Sequence, residues 1–398
     1  MSWPPTGYVP AGGERWRDPY PMYRWLREHD PVHHVDRGDY WVLSRFADVS
    51  AAAIDTESLS SASGLTFTYD DRALVGLDHD ATPLVMMDPP EHTDFRRLLA
   101  RGFTPKRVVD LEPAIRAFVA ERLERLRDAG SGDIVAEVFK PLPSFVVAHY
   151  LGVPAEDRGR FDGWTDAIVA ANATGDPLAA ATAVGELIGY FAELIERRRR
   201  EPGDDTVSDL VHLEEQGASV SMIQIIGYAF TMVAGGNDTT TGLLGGAAVI
   251  LTDEPDQRRL LLDSPELLPG AVDELLRLTT PVQGLARTTT RDVEVGDRVI
   301  PEGRKVLLLY GSANRDLAEF GPTAEACDLT RTNNRIMSFG FGPHHCLGAA
   351  VAKLQARVAL DELLSRYPRF AVDVDRGEYA TGPFVRRLRS LPFVADSA

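Results

Sequence analysis

The chain has 398 residues, of which 44% are hydrophobic and 25% are charged, a composition typical of soluble globular proteins and not of disordered or fibrous ones. Its formal net charge of −17 argues against nucleic-acid binding, because contacts with phosphates require a basic surface. Only two cysteines are present, so a disulfide framework is excluded and a reducing, cytoplasmic location is expected. The first twenty residues lack the apolar core of a signal peptide or membrane anchor.

In chain order, the sequence first predicts one helix and a β-hairpin. Met22, Trp25 and Leu26 have helical spacing, and two β-prone runs flank the turn sequence DRGD at positions 36–39. Helices then dominate, as in the segment 114–130, where apolar residues recur every three or four positions before Gly130. Short β-branched runs return late, in TTTRDVEV, DRVI and KVLLLYG. The sequence therefore predicts a mainly α-helical protein with a small β portion and no domain boundary.

The most hydrophobic stretch, residues 223–255, predicts a long helix through the centre of the protein. A transmembrane span is the alternative, but Asn237 and Asp238 lie near its middle, where polar groups are costly in lipid, and neither flank is basic. The glycines at 235–236 weaken the helix, and the hydroxyl residues that follow compete for backbone partners. The residues alone allow either a helix crossing that needs small side chains or a groove, lined by a carboxylate and a hydroxyl, beside a group that needs protons.

A second unusual stretch is FGFGPHHCLG, residues 339–348, in which glycines and two histidines precede Cys346. The apolar pattern that follows predicts an amphipathic helix with Cys346 at its N-terminus, a position that favours a thiolate. Four roles remain open from the residues alone: a buried structural cysteine, a zinc ligand with His344 and His345, a catalytic thiol, and an axial ligand of haem iron.

Five residues of this stretch match the signature F-x-x-G-x-[H/R]-x-C-x-G of the cytochrome P450 haem-thiolate monooxygenases: Phe339, Gly342, His344, Cys346 and Gly348. Three further motifs occur in the order of that family. Residues 235–239 resemble its oxygen-activating [A/G]-G-x-[D/E]-T, residues 274–277 resemble its E-x-x-R, and DPPEHTDFRR resembles the start of its C helix. One departure is Cys327, which stands where the family usually has an aromatic residue.

This resemblance covers nearly the whole chain and implies a single domain, residues 1–398, with the cytochrome P450 fold. Haem b (iron protoporphyrin IX) would lie between the long central helix and the helix that follows the cysteine. Cys346 would be the iron ligand, and the basic residues His92, Arg96, Arg287 and His344 would bind the haem propionates. The implied haem-binding residues are Cys346, His92, Arg96, Arg287, His344 and Phe339.

The resemblance also implies roles for residues away from the cysteine. Asp238 and Thr239 would deliver protons during oxygen activation, and Glu274 and Arg277 would form a buried structural pair. The implied wall of the substrate pocket includes Leu65, Phe67, Ala234, Gly235, Val282, Leu285, Phe384 and Val385. A lid around Gly175 and Pro177 would open the pocket, and Arg72 is the cation whose inward rotation would favour carboxylate substrates.

The implied activity is insertion of one atom of O2 into a largely apolar small organic substrate, without a nucleic-acid or membrane partner. Electrons would come from a ferredoxin or flavodoxin with its reductase, because no flavin or iron–sulfur domain is recognisable in the chain. A basic patch would dock that partner, and it comprises Arg96, Arg97, Arg101, Lys106 and Arg107. The alternatives are a peroxide-driven peroxygenase, which has no need of a proton relay, and a non-enzymatic haem-thiolate sensor.

Overall fold

The computed structural model describes residues 7–67, 69, 82–129, 131–174, 181–216, 220–332 and 335–395. Helices form most of this part of the chain, so the predicted class, mainly α with a small β portion, is confirmed. The α-helices, numbered in chain order, are α1 (Tyr20–His29), α2 (Phe46–Ile54), α3 (Glu91–Leu99), α4 (Pro105–Asp110), α5 (Glu112–Ala129), α6 (Pro141–Tyr150), α7 (Arg158–Thr174), α8 (Ala181–Arg200), α9 (Thr206–Glu215), α10 (Met222–Asp253), α11 (Pro255–Asp263), α12 (Leu268–Thr279), α13 (Tyr310–Ala313), α14 (Leu317–Phe320) and α15 (Ala349–Arg366).

The strands are short, and five of them form the largest sheet. They are β1 (Val32–Val35), β2 (Tyr40–Leu43), β3 (Leu59–Ser60), β4 (Ser131–Asp133), β5 (Leu285–Thr289), β6 (Val293–Val295), β7 (Arg298–Ile300), β8 (Lys305–Leu308), β9 (Ala371–Val372), β10 (Glu378–Tyr379), β11 (Leu388–Ser390) and β12 (Pro392–Val394). The largest sheet has the order β1-β2-β8-β5-β3, with β2 parallel to β8 and the other neighbours antiparallel. The predicted hairpin β1–β2 and the late strands β5 to β8 are therefore confirmed.

The long helix α10 runs through the protein as the hydrophobic stretch predicts. A capping box begins it, since the Ser221 hydroxyl accepts from the Gln224 N–H and the Gln224 side chain accepts from the Ser221 N–H. It ends at Asp253, and Pro255 begins α11, where a missing N–H costs nothing. Helices α6, α7, α8, α12 and α15 all pack against α10. None of the described helices has the length and hydropathy needed to cross a membrane.

The main hydrophobic core joins α10 to the helix that follows the cysteine. Leu244 of α10, Val119 of α5 and Val358 of α15 are each fully buried in one cluster. Burial of each such side chain stabilises the fold by about 1.5–3 kcal/mol. A second cluster lies between α7, α8 and α10, and Phe103 and Met232 pack against both. The core therefore fixes the relative positions of α10 and α15, and the candidate site lies between these two helices.

Candidate active site

The loop before α15 has a tight conformation that its glycines permit. Gly340 and Gly342 have φ of +69° and +68°, in the left-handed region that glycine adopts without strain. A Cβ at Gly342 would lie 2.7 Å from a side-chain carbon of Ile54 on α2. The Cys346 N–H donates to the Phe339 carbonyl at 2.8 Å, which closes the loop. The glycines thus let the loop pack against α2 while presenting Cys346.

The sulfur of Cys346 lies deep in the protein and yet has an open surface. The residue is exposed, although burial is the largest effect on its thiol and raises its pKa. Both observations hold if the sulfur faces an internal space. The predicted helix begins at Ala349, so Cys346 lies in the turn before it rather than in its first turn.

This environment adds burial to the effects that the sequence argument about the thiolate considered. A hydrogen bond from the Gly348 N–H and the charge of Arg96 do lower the pKa of Cys346, but burial outweighs them. The helix terminus by itself therefore does not generate a thiolate. A bound metal cation is the usual agent that deprotonates such a thiol.

Four predicted bases meet beside the cysteine loop: His92, Arg96, Arg287 and His344. The rings of His92 and His344 are 4.2 Å apart, and both nitrogens of His92 are buried without a partner. Burial lowers the pKa of His344 to about 3, and the charge of Arg287 acts in the same direction. Arg96 donates to the His345 carbonyl at 2.5 Å.

Arg287 is the most informative of these bases. Its side chain is 3% exposed, and its hydrogen bond within the described part of the chain goes to the carbonyl of Ala286 at 2.9 Å. A buried guanidinium is costly unless an anion or several acceptors compensate it. No carboxylate among the described residues pairs with it, so this cluster fits an anionic group that reaches it from the space beside Cys346.

These observations fit haem b, the cofactor that the sequence resemblance implies. Haem needs one metal ligand, which Cys346 would supply, and bases for its two propionates, which His92, Arg96, Arg287 and His344 would supply. Phe339 is partly buried against the main core, and Lys353 lies 5.9 Å above its ring. Its contacts place it as a support of the loop, and haem contact stays a prediction for it. The described residues hold no cluster of three metal-ligating side chains.

The middle of α10 carries the predicted proton-delivery residues on its surface. The Thr239 hydroxyl donates to the Gly235 carbonyl at 3.0 Å, one turn earlier. Asp238 is 17% exposed, and burial raises the pKa of its carboxyl while the nearby Arg387 guanidinium lowers it. The Nε atom of Arg387 lies 2.7 Å from the carboxylate of Asp238. Sequence reasoning missed Arg387, since nothing in its local sequence marks it.

A close approach of two backbones makes the contact between Asp238 and Arg387 possible. A Cβ at Gly242 of α10 would lie 2.7 Å from the Arg386 carbonyl and 3.3 Å from the Arg387 Cβ. Only glycine leaves room for the C-terminal segment at this point. Gly242 is three residues after Thr239 and so lies on the same helix face. The C-terminal segment therefore reaches α10 within one turn of the predicted relay.

Two pairs of the predicted wall residues are joined through the backbone. The N–H of Ala286, which follows Leu285, donates to the Leu65 carbonyl at 2.7 Å. Val282 and Val385 face each other in an isolated antiparallel bridge. All four wall residues are partly buried.

An aromatic contact joins the same segments. The ring of Phe67 lies 5.2 Å from that of Phe384 and stacks on Tyr40 at 4.9 Å. Gly235 is exposed, and a Cβ there would meet nothing within 4 Å, whereas Ala234 packs partly against the second core cluster. The structure thus places Gly235 beside open space. Arg72 and the lid positions Gly175 and Pro177 lie outside the described residues.

Glu274 and Arg277 form a fully buried ion pair on α12. The guanidinium bonds both carboxylate oxygens at 2.7 Å, and each side chain has 0% exposure. Arg277 also donates to the Asn314 carbonyl at 2.7 Å, and its guanidinium lies 5.0 Å from the ring centre of Phe320. The pair therefore ties α12 to the segment that precedes the cysteine loop.

Comparison with known proteins agrees with this arrangement. The sequence profile of the family described as Cytochrome P450 matches residues 178–378. The chain is 58% identical over 395 residues to "Cytochrome P450 130" of Mycobacterium tuberculosis, with 97% of each chain covered. It is 38% identical to "Vitamin D(3) 25-hydroxylase" of Pseudonocardia autotrophica, covering 96% of this chain and 94% of the relative.

Solved structures lead to the same family. The crystal structure of cytochrome P450 CYP109Q5 from Chondromyces apiculatus superposes with a TM-score of 0.88 at 33% sequence identity, covering 97% of each chain. The fold, the cysteine loop, the cluster of bases and these similarities lead to one conclusion. The chain belongs to the cytochrome P450 family of haem b monooxygenases.

Proposed function

We propose that the protein inserts one atom of O2 into a largely apolar small organic substrate, with electrons from a separate ferredoxin or flavodoxin and its reductase. The observation that carries the proposal is the accessible sulfur of Cys346 beside bases that lack an acid partner in the described residues. Haem b, when bound, supplies the oxygen-activating redox chemistry. Cys346 would ligate the iron, and His92, Arg96, Arg287 and His344 would hold the propionates.

The chain's own contribution to proton delivery lies on α10. Because the Thr239 hydroxyl donates to the Gly235 carbonyl, its lone pairs are available to accept a hydrogen bond in the open space beside Gly235. Asp238 holds its carboxyl at the same level of the helix, and Arg387 orients it. Burial raises the pKa of Asp238, so this carboxyl takes up a proton more readily than an ordinary aspartate. We infer that Thr239 positions water and that Asp238 passes protons to it.

Replacing Thr239 with alanine is expected to lower the product formed per reductant consumed severalfold, with the missing electrons recovered as hydrogen peroxide. The variant loses the acceptor that holds water beside Gly235, while haem binding is retained. Thr252→Ala is the control, since Thr252 donates to the Ala248 carbonyl at 2.8 Å in the same way but lies about 20 Å along α10. Equal coupling in wild type and Thr239→Ala would remove Thr239 from the relay.

The substrate pocket is proposed to be apolar and to select ligands by shape. Its wall contains Phe67 and Phe384. Two arginines follow shortly after Phe384 in the chain, and both already have partners: Arg387 pairs with Asp238, and Arg386 donates to the Trp16 carbonyl at 2.7 Å. The described part of this wall therefore presents no cation for a substrate carboxylate. The name of the relative that hydroxylates vitamin D(3) supports a bulky, apolar substrate for this chain as well.

Neutral ligands are expected to bind at least about tenfold more tightly than carboxylate members of the same scaffold. An anion that enters without a partner loses hydration, and 1.4 kcal/mol of that cost is a tenfold loss in affinity. Titration of the haem absorption spectrum with matched neutral and anionic compounds measures the difference. A consistent preference for the carboxylates would instead favour an inward-facing cation such as Arg72.

The predicted docking patch is less basic in the structure than in the sequence. Arg97 pairs with Asp94 at 3.2 Å, Lys106 pairs with Asp110 at 2.5 Å, and Arg107 pairs with Asp209. Arg96 turns inward to the His345 carbonyl. Arg101 is exposed and forms no ion pair with the described residues, so we propose it as the main positive group for a redox partner here.

Reversing the charge at Arg101 is expected to slow reduction by an acidic ferredoxin severalfold at low salt. The difference should vanish at high salt, because exposed charges are screened beyond about 8 Å at physiological ionic strength. Arg125→Glu is a control of equal charge change on α5, outside the patch. Stopped-flow reduction across a salt series measures both variants, and equal rates for them would place docking elsewhere.

One comparison of reaction conditions tests the proposed function itself. The holoprotein is incubated with one apolar substrate under three conditions: with reductase, ferredoxin and NAD(P)H in air, with peroxide alone, and with O2 alone. Product only in the first condition supports the monooxygenase. Efficient product with peroxide alone would indicate a peroxygenase. Absence of product with any bound ligand would contradict the proposed activity.

A further inference from the structure

Ser61 is hydrogen-bonded to His344, one of the residues proposed to bind a haem propionate. It follows β3 and is completely buried, with 0% exposure. Its hydroxyl oxygen lies 3.2 Å from Nε2 of His344, although 283 residues separate the two in the chain. None of the sequence motifs includes this serine.

A carboxylate fixes the position of Ser61. The Ser61 N–H donates to one oxygen of Asp88 at 2.8 Å, and the hydroxyl of Ser60 donates to the other. The main-chain carbonyl of Asp88 in turn accepts from the N–H of His92 at 3.0 Å. One aspartate thus connects the end of β3 to α3, which carries the second histidine of the base cluster. Because Asp88 binds the Ser61 N–H and the side chain of the preceding residue, Ser61 presents its hydroxyl to His344 in a defined place.

The bond to Ser61 determines what the other ring nitrogen of His344 can do. A hydroxyl can donate to a bare Nε2 or accept from a protonated one, and in the first case the proton of a neutral ring lies on Nδ1. Nδ1 of His344 has no hydrogen bond with the described residues. The ring lies beside His92, whose nitrogens are buried without partners, and near the charges of Arg287 and Arg96. When the Ser61 hydroxyl donates to Nε2, Nδ1–H is available to an anionic group.

We propose that Ser61 is a positioning residue for haem: its hydroxyl holds the His344 ring so that Nδ1–H donates to a haem propionate. The proposal rests on the haem site described above. It assigns the network of Asp88, Ser61 and His344 to cofactor retention, in the same way that second-layer hydrogen bonds orient metal-binding histidines.

Haem transfer from the holoprotein to excess apomyoglobin tests the proposal without relying on activity. Ser61→Ala is expected to lose haem about two- to twelvefold faster, the effect of one buried hydrogen bond of about 0.5–1.5 kcal/mol. Ser61→Thr keeps the hydroxyl and should restore the slow rate. Ser44→Ala is the matched control, because Ser44 is also completely buried and its hydroxyl donates to the Pro31 carbonyl. Resonance Raman bands of propionate bending should shift in Ser61→Ala and not in Ser44→Ala.

A double-mutant cycle with His344→Ala separates the possible outcomes. Ser61→Ala should change the rate less than twofold once His344 is absent. A wild-type rate in Ser61→Ala together with faster loss in His344→Ala would overturn the role of Ser61 and leave the haem site intact. Equal effects of Ser61→Ala in both backgrounds would also overturn it, since Ser61 would then act independently of His344. Unchanged rates in both single variants would overturn the proposed haem site at His344 as well.

Discussion

Replacing Cys346 with serine is expected to abolish the red-shifted absorption band of the reduced, carbon monoxide-bound protein, together with monooxygenation. A thiolate donates electron density to iron and favours O–O cleavage, which a serine oxygen does not reproduce. Absorption spectra of the reduced protein with carbon monoxide measure the first effect, and product formation measures the second.

Cys327→Ser is the matched control for this experiment. Burial raises the pKa of Cys327 to about 12, and the residue packs against the main core, so it stays a neutral thiol. The control protein should keep both the band and the activity. Loss of the band in Cys327→Ser and its retention in Cys346→Ser would reverse the assignment of the iron ligand.

Replacing Arg277 with alanine is expected to lower the free energy of unfolding by about 3–5 kcal/mol, the usual cost of removing one partner from a buried ion pair. The variant removes the bidentate cation from Glu274, which has 0% exposure and also pairs with Arg331 at 3.2 Å, and it removes the bonds that Arg277 makes to the segment before the cysteine loop. Much of the variant should therefore fail to retain haem. Urea unfolding followed by circular dichroism and by haem absorption measures the loss.

The chain offers a control with the same chemistry and spacing. Asp256 and Arg259 are also an acid and an arginine three residues apart, but they are 92% and 70% exposed and 3.8 Å apart. Arg259→Ala should cost less than about 1 kcal/mol, because exposed ion pairs are screened by water. Similar losses in the two variants would mean that burial of the Glu274–Arg277 pair has no special importance.

The sequence by itself determined the features that depend on neighbouring residues. A continuous hydrophobic stretch predicted α10, and periodic apolar residues predicted α15, because a helix places positions three and four apart on one face. The glycines around Cys346 predicted a tight loop, and two of them have positive φ. The spacing of Glu274 and Arg277 predicted a shared helix face, which the ion pair confirms. Such signals are local, so one segment of sequence contains all of the information that they need.

Only the tertiary structure decided how distant groups meet. Arg387 reaches Asp238 because Gly242 lets two backbones approach, and no pattern in either segment indicates that contact. The contact of Ser61 with His344, 283 residues away, is likewise absent from any local pattern. The pKa of the Cys346 thiol was also beyond local reasoning, since burial by the whole fold outweighs the nearby Gly348 N–H. Electrostatic energies depend on every surrounding atom, and only folding brings those atoms together.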